Sequence, residues 1–387
     1  MDWSSLMPGL VHRVAGRLLD TADLDCYMAL RAVCHNWRVA TDDPTNTLDR
    51  RFRPHNWVML DYKSHGEDAR LLVNTATGRF HGRSIPMLRR YFIVSVTADG
   101  LLLLAAKARP HVTCVLNPFT DHMVRFAARM RSNVAAAVVS GSPPHYLVLY
   151  CHMSRKLYRA SPDSQDFVRY KKKYAYPLVK KAVQGCTAID GHKGLLPPLP
   201  AMVITKIAHL MTPFVAHLPD EEVHTDLWKR CFVVESAGET LVIFKLENRR
   251  MEVFKTDDTG VENTLQPVKS IALPLFLGYF DRGISIDADK FPPIEANCIY
   301  FTEHINSPST HIYHLKDGEE GPIGAAPSTN LPAFLGDPFA QHPFSIIQLL
   351  SLYTFNIQNY HMVLLLKDED HILEQLRIAQ LPLSDLR

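Results

Sequence analysis

The 387-residue chain exceeds a usual single domain, so it calls for two domains or for one large repetitive domain with a small appendage. Its 42 Lys and Arg balance 40 Asp and Glu to leave a charge of +2, and 47% hydrophobic with 21% charged residues is ordinary globular composition, so bulk electrostatics argue for neither nucleic acid nor a membrane surface. Seven scattered cysteines without a Cys-x-x-Cys pair, a start (MDWSSLMPG) without a basic-then-apolar leader, and no apolar run near the roughly 18–20 residues that span a bilayer read as a reduced, cytoplasmic or nuclear, soluble protein.

The first 42 residues are helical in pattern. Leu6, Leu10, Val14 and Leu18 recur every four residues, and Pro8 sits where a helix would start. A second stripe of Leu24, Tyr27, Met28, Val33 and Trp37 follows Asp20, Thr21 and Asp23, which are good N-caps. So small a helical unit cannot bury both stripes within itself, and the leftover apolar face needs a partner. The order Leu6-Met7-Pro8, Leu10, Val14, Leu18, Asp23, Leu24, then Val33-Cys34-His35-Asn36-Trp37-Arg38 resembles an F-box, with Met7 inserted where that family usually has Leu-Pro directly. The resemblance implies that Leu6, Pro8, Leu10, Val14, Leu18, Leu24, Val33, Cys34 and Trp37 meet a Skp-type adaptor, some of them through internal packing. The bland alternative is that the stripes merely dock on the rest of the chain.

Residues 43–57 are turn-rich and charged, a connector. From 58 to 387 short apolar runs such as WVMLDY, YFIVSV, HYLVLYC, ETLVIFK and CIYFTE alternate with turns, a mainly β pattern. The turn at Asn74 to Gly78 is echoed by Asn117-Pro118-Phe119-Thr120 after 43 residues and by Ser161-Pro162-Asp163-Ser164 after 44 more. Asn and Ser bond their own following backbone, Pro fixes φ and Gly permits positive φ, which suits a tight strand connection. A period of this size predicts a β-propeller, and roughly 330 residues at about 45 per blade give six or seven blades. A pair of β-sandwiches would also accommodate the short strands.

The stretch LFLGYFDRGISIDADKFPPIEANCIYFTEH (275–304) is the most distinctive part of the chain. A Ca²⁺ loop counted from Asp287 would need Asp or Asn at 291, Gly at 292 and Glu at 298, where the chain has Phe291, Pro292 and Cys298. Asp287, Asp289 and Glu295 therefore read as turn residues. His304, His311 and His314 near Cys298 fit no closed zinc spacing, and His311 and His314 fall on opposite faces of a strand, so no metal is expected. Lys171-Lys172-Lys173 and Lys180-Lys181 read as a solvated loop, and phosphate-loop, metalloprotease and nucleophile-elbow motifs are missing.

Leu275 to Gly278, Ile284-Ser285-Ile286, Phe291-Pro292 and Asn297 to Phe301, in that order, together with Asn117 to Thr120 and Cys231 to Ser236, resemble the KIB-type β-propeller that follows F-boxes in a large plant family. The resemblance runs over about 58–318; residues 185–215 and the tail from about 330 depart from it. It implies a non-catalytic, cofactor-free substrate-recruiting subunit of a Skp-cullin-F-box ubiquitin ligase, with helices on the adaptor and the propeller on an unidentified target protein. The alternatives are an interaction scaffold without a ligase role, and a ligand-binding or enzymatic propeller.

Overall fold

The computed structural model describes residues 6–45, 47–60, 68–97, 99–131, 134–140, 145–151, 156–169, 231–245, 250–256, 265–278, 283–304, 307–323, 347, 350 and 351. Three helices, α1 (Pro8–Asp20), α2 (Leu24–Ala32) and α3 (His35–Val39), precede a series of sheets that are antiparallel apart from one parallel strand pair in the last. The first sheet is β1 (Trp57–Leu60), β2 (Ala69–Asn74) and β3 (Phe80–Ser84); the second is β4 (Tyr91–Val96), β5 (Leu102–Ala106), β6 (Val112–Leu116) and β7 (Met123–Arg129). The third is β8 (Val134–Val139), β9 (Leu147–Cys151), β10 (Lys156–Ala160) and β11 (Val168–Arg169), and the fourth is β12 (Cys231–Ser236), β13 (Glu239–Lys245), β14 (Met251–Thr256) and β15 (Leu265–Val268). The fifth contains β16 (Leu275–Leu277), β17 (Gly283–Ser285), β18 (Cys298–His304), β19 (Ser307–His314) and β20 (Glu319–Pro322), ordered β17-β16-β18-β19-β20.

Side chains alternate across a strand, and here the two faces of one strand feed two different cores. In β5, Leu102 and Leu104 join the core shared with the first sheet, while Leu103 and Ala105 join the core shared with the third. In β1, Trp57 and Met59 face the second sheet, and Val58 and Leu60 face the fifth. Cys298 and Tyr300 of β18 pack toward the first sheet, and Ile299 and Phe301 toward the fourth. The packing order is therefore third, second, first, fifth, fourth: the last sheet lies against the first. Strands buried on both faces explain the continuous apolar runs, which a sandwich with one wet face per sheet would not need.

This is the radial arrangement of a propeller, and it sets aside the two sandwiches. The described residues form five sheets, not six or seven blades. The larger count divided the whole stretch after the connector by one repeat length, and 170–230 and most of 324–387 lie outside the described residues. The lysine runs, 185–215 and the atypical tail fall there too.

The repeated turns are built as their residues demand. Asn74 Oδ1 accepts from the backbone N–H groups of Ala76 and Thr77, both at 3.0 Å, and Asn117 Oδ1 accepts from those of Phe119 (3.0 Å) and Thr120 (3.4 Å). Asn117 Nδ2 also donates to the Phe52 carbonyl at 2.6 Å, fastening the connector to the second sheet. The connector is thus part of the core, with Leu48, Phe52 and Arg53 all buried. Gly100, with φ +80°, has the Pro54 carbonyl only 2.3 Å from where a Cβ would stand.

Candidate partner-binding surface

Pro8 starts α1 because first-turn N–H groups have no intrahelical acceptor, so the donor that proline lacks is not missed, and Asp23 starts α2 by accepting from the Cys26 N–H at 3.4 Å. Arg31 ties α2 to α3 and to the segment after it: its guanidinium donates to the Arg38 carbonyl (3.2 Å), to the Thr41 carbonyl (2.9 Å) and hydroxyl (2.9 Å) and to the Asp42 carbonyl (2.6 Å). The Tyr27 hydroxyl donates to the same Asp42 carbonyl at 2.7 Å.

Two features hold the helical head on the propeller. Val11, Ala15, Leu24, Tyr27 and Leu30 share one core with Phe52, Trp57, Leu72, Leu88 and Phe119, each large side chain contributing roughly 1.5–3 kcal/mol of gross transfer energy. Arg79, at the end of the turn before β3, donates to both carboxylate oxygens of Asp23 (3.1 and 2.9 Å), lies 2.9 Å from Cys26 Sγ and pairs with Asp25, while His81 Nδ1 lies 3.4 Å from Asp25. Burial pushes the Cys26 thiol up, against the pull of the Arg79 hydrogen bond. Asp23 thus caps a helix and anchors it at once.

The sequence-predicted contact residues divide between two faces. Leu24 is 1% exposed and faces the propeller; Leu6, Leu18 and Trp37 are half-buried against the same core, and Cys34 is half-buried. Pro8, Leu10 (39%), Val14 (47%) and Val33 (57%) are exposed. Docking on the propeller and an outward apolar face therefore coexist. Met7 (72%) and Val39 (70%) are also exposed. The sequence reading left both out, although Met7 lies three and seven residues before Leu10 and Val14 on one helical stripe. Arg79 and Arg53 were missed as well, and no local signal marks them, since their partners are distant in sequence.

The acidic stretch separates into parts with different duties. Asp287 accepts from the Asp289 N–H at 3.1 Å, starting a single 3-10 turn, and its own N–H donates to the Thr75 carbonyl at 2.9 Å. It therefore stitches the fifth sheet to the repeated turn of the first. The Ser285 hydroxyl reaches the Glu235 carbonyl at 3.0 Å, linking the fifth sheet to the fourth. Among the described residues, potential metal ligands converge in two places, Asp23-Asp25-Cys26 and Glu295-Cys298-His314. His311 stands apart, 3.2 Å from Glu320 and stacked on Phe301. The side chain of His304 lies outside the described residues.

Residues 72–322, about two thirds of the chain, match the family model described as KIB1-4 beta-propeller, a span that begins after the helices and β1. No curated protein matches the chain. Among solved structures, one chain of a complex of S. cerevisiae Dbp5 with Nup159, Gle1, IP6 and ADP aligns at 11% identity over 64% of this chain and 54% of that one, about half its length, with a TM-score of 0.15. Among the described residues no helix is long and apolar enough to cross a membrane.

Proposed function

Since the chain belongs to the KIB1-4 beta-propeller family, we propose that it is a non-catalytic recruiting subunit, in which the head helices act as an F-box on a Skp-type adaptor and, through it, a cullin, while the propeller holds a target protein. The observation that carries this reading is the division of the head helices: their inner face is fixed to the propeller by a shared core and by Arg79, while Leu10, Val14 and Val33 remain exposed outside. A surface needed only for docking would leave no such outer stripe. The activity is proximity, raising the effective concentration of target lysines near a ubiquitin-charged enzyme. Rigid attachment of the helices suits it, because a fixed head keeps the target at a set distance.

The test is co-purification of the intact chain with a Skp-type adaptor. Leu10→Asp and Val14→Asp, both at exposed positions, should each weaken binding by about 30-fold or more, a loss of about 2 kcal/mol. Arg13→Ala, at an exposed polar position, is the control. Failure of the intact, folded chain to hold the adaptor sinks the ligase reading and leaves the propeller as an interaction scaffold.

A further inference from the structure

Cys298 opens β18 and His314 closes β19, and the strand register places them directly opposite each other. Cys298 Sγ lies 3.2 Å from His314 Nδ1, and Glu295 Oε2 lies 3.9 Å from the same nitrogen; one ligand atom from each of the three residues falls within 4.8 Å of the others. Metal–ligand bonds of about 2.0–2.3 Å put the corners of a tetrahedral zinc site about 3.3–3.7 Å apart, so Cys298 and His314 already stand close to that spacing and the exposed Glu295 side chain has to swing toward them to complete a third corner.

The loop that presents these groups is held from several directions. The Glu295 N–H donates to the Tyr300 hydroxyl at 2.7 Å, Asn297 Oδ1 accepts from the Ile271 N–H at 3.0 Å, and the Asn297 carbonyl accepts from the Leu315 N–H at 3.3 Å. The comparison with the other cluster decides between them. At Asp23-Asp25-Cys26 the Arg79 guanidinium already occupies the centre, whereas among the described residues no lysine or arginine pairs with Glu295.

We infer that Glu295, Cys298 and His314 form a three-ligand zinc site at the base of the β18–β19 hairpin, with its fourth corner open to water or to a ligand brought by a partner. Thiolate, imidazole and carboxylate together suit Zn²⁺ rather than Ca²⁺ or Mg²⁺, which take oxygen ligands. On binding, the Cys298 thiol proton leaves to solvent, the neutral His314 ligates through Nδ1, and thiolate and carboxylate offset the two charges of the ion. The spacing test on the sequence sought a closed four-ligand pattern, and this set is three residues joined by strand pairing. The site is independent of the adaptor reading.

Titrating the reduced, chelator-treated full chain with Co²⁺ tests it. A sulfur-to-cobalt charge-transfer band should saturate at one equivalent, disappear on adding Zn²⁺, and be absent in Cys298→Ser. Glu295→Gln and His314→Ala remove more exposed side chains, and each should weaken Co²⁺ binding by at least the roughly 10–100-fold that even an outer-shell partner costs. These two variants carry the test if Cys298→Ser does not fold, and Asp25→Asn should change nothing. Absence of the band, or a band that survives Glu295→Gln and His314→Ala at unchanged affinity, overturns the assignment and leaves a Cys298–His314 hydrogen bond.

Discussion

Replacing Arg53 by methionine should remove about 3–5 kcal/mol of stability. The side chain is 0% exposed, its partner Asp99 is 1% exposed, and the two are in direct contact. Arg53 Nε also donates to the Leu48 carbonyl at 2.8 Å, Nη1 to the Val139 carbonyl at 3.1 Å, and Nη2 to the Ser140 carbonyl. One guanidinium therefore joins the connector, the turn after β4 and the end of β8. Methionine fills much of the volume but leaves a buried carboxylate and three carbonyls without their donor. Against the roughly 5–15 kcal/mol that holds a domain together, the loss is large, lowering Tm by roughly 6–20 °C. Asp99→Asn alone should cost a similar amount by stranding the cation, while the double variant leaves no unpaired charge and should be about 2–3 kcal/mol less damaging than the sum. Urea unfolding followed by tryptophan fluorescence and far-UV circular dichroism reads all four proteins, with coincident transitions required before free energies are compared. Additivity within about 0.5 kcal/mol would refute the claim that the two side chains act as a pair.

Three further outcomes are expected. Gly283→Ala places a Cβ 2.3 Å from Val234 Cγ2, so it should cost about 1–3 kcal/mol in urea unfolding and be partly rescued by Val234→Ala; unchanged stability would contradict the close approach of β17 to β12. Arg79→Met should raise amide hydrogen exchange across α2 while leaving the third sheet unchanged, and equal protection in both proteins would show that the apolar core alone holds the head. Burial pushes the thiol of Cys151 up to about 11 from 9.0, so this group favours the folded state fully below pH 9 and loses that contribution as pH rises toward 11. At the acid end burial, and then the nearby Arg53 charge, hold His145 below its ordinary value of 6.5, so the unfolded chain takes up the proton first and stability falls as pH drops below about 6.5. The urea midpoint measured from pH 5 to 11 should therefore fall at both ends, and a midpoint that is flat above pH 9 would refute the thiol argument.

Much of this was legible in the chain because its causes are local. Asn74 and Asn117 bond their own following backbone, so two turns 43 residues apart could be matched before any strand was placed. The short, continuous apolar runs of β1 and β5, bounded by turn residues, read as strand, and the 3.6-residue stripe of α1 reads as helix. The contact residues were only half legible, because Leu10 and Leu24 belong to equally apolar stripes, and which stripe meets the propeller depends on where Trp57 and Phe119 stand. The nearness of Cys298 and His314 was not legible for a related reason: they are 16 residues apart in no recognised spacing, and only the register of β18 on β19 makes them neighbours.

Sequence by itself determined the element types, the repeat, the turn chemistry and the helical head, since each follows from backbone preferences and side-chain spacing over a few residues. Tertiary structure alone decided that the last sheet lies against the first, that Arg53 unites three segments and that Arg79 fills one acidic cluster while Glu295, Cys298 and His314 form another. Those outcomes depend on contacts between residues far apart in the chain, whose geometry is fixed only when whole sheets pack, and no local preference encodes them.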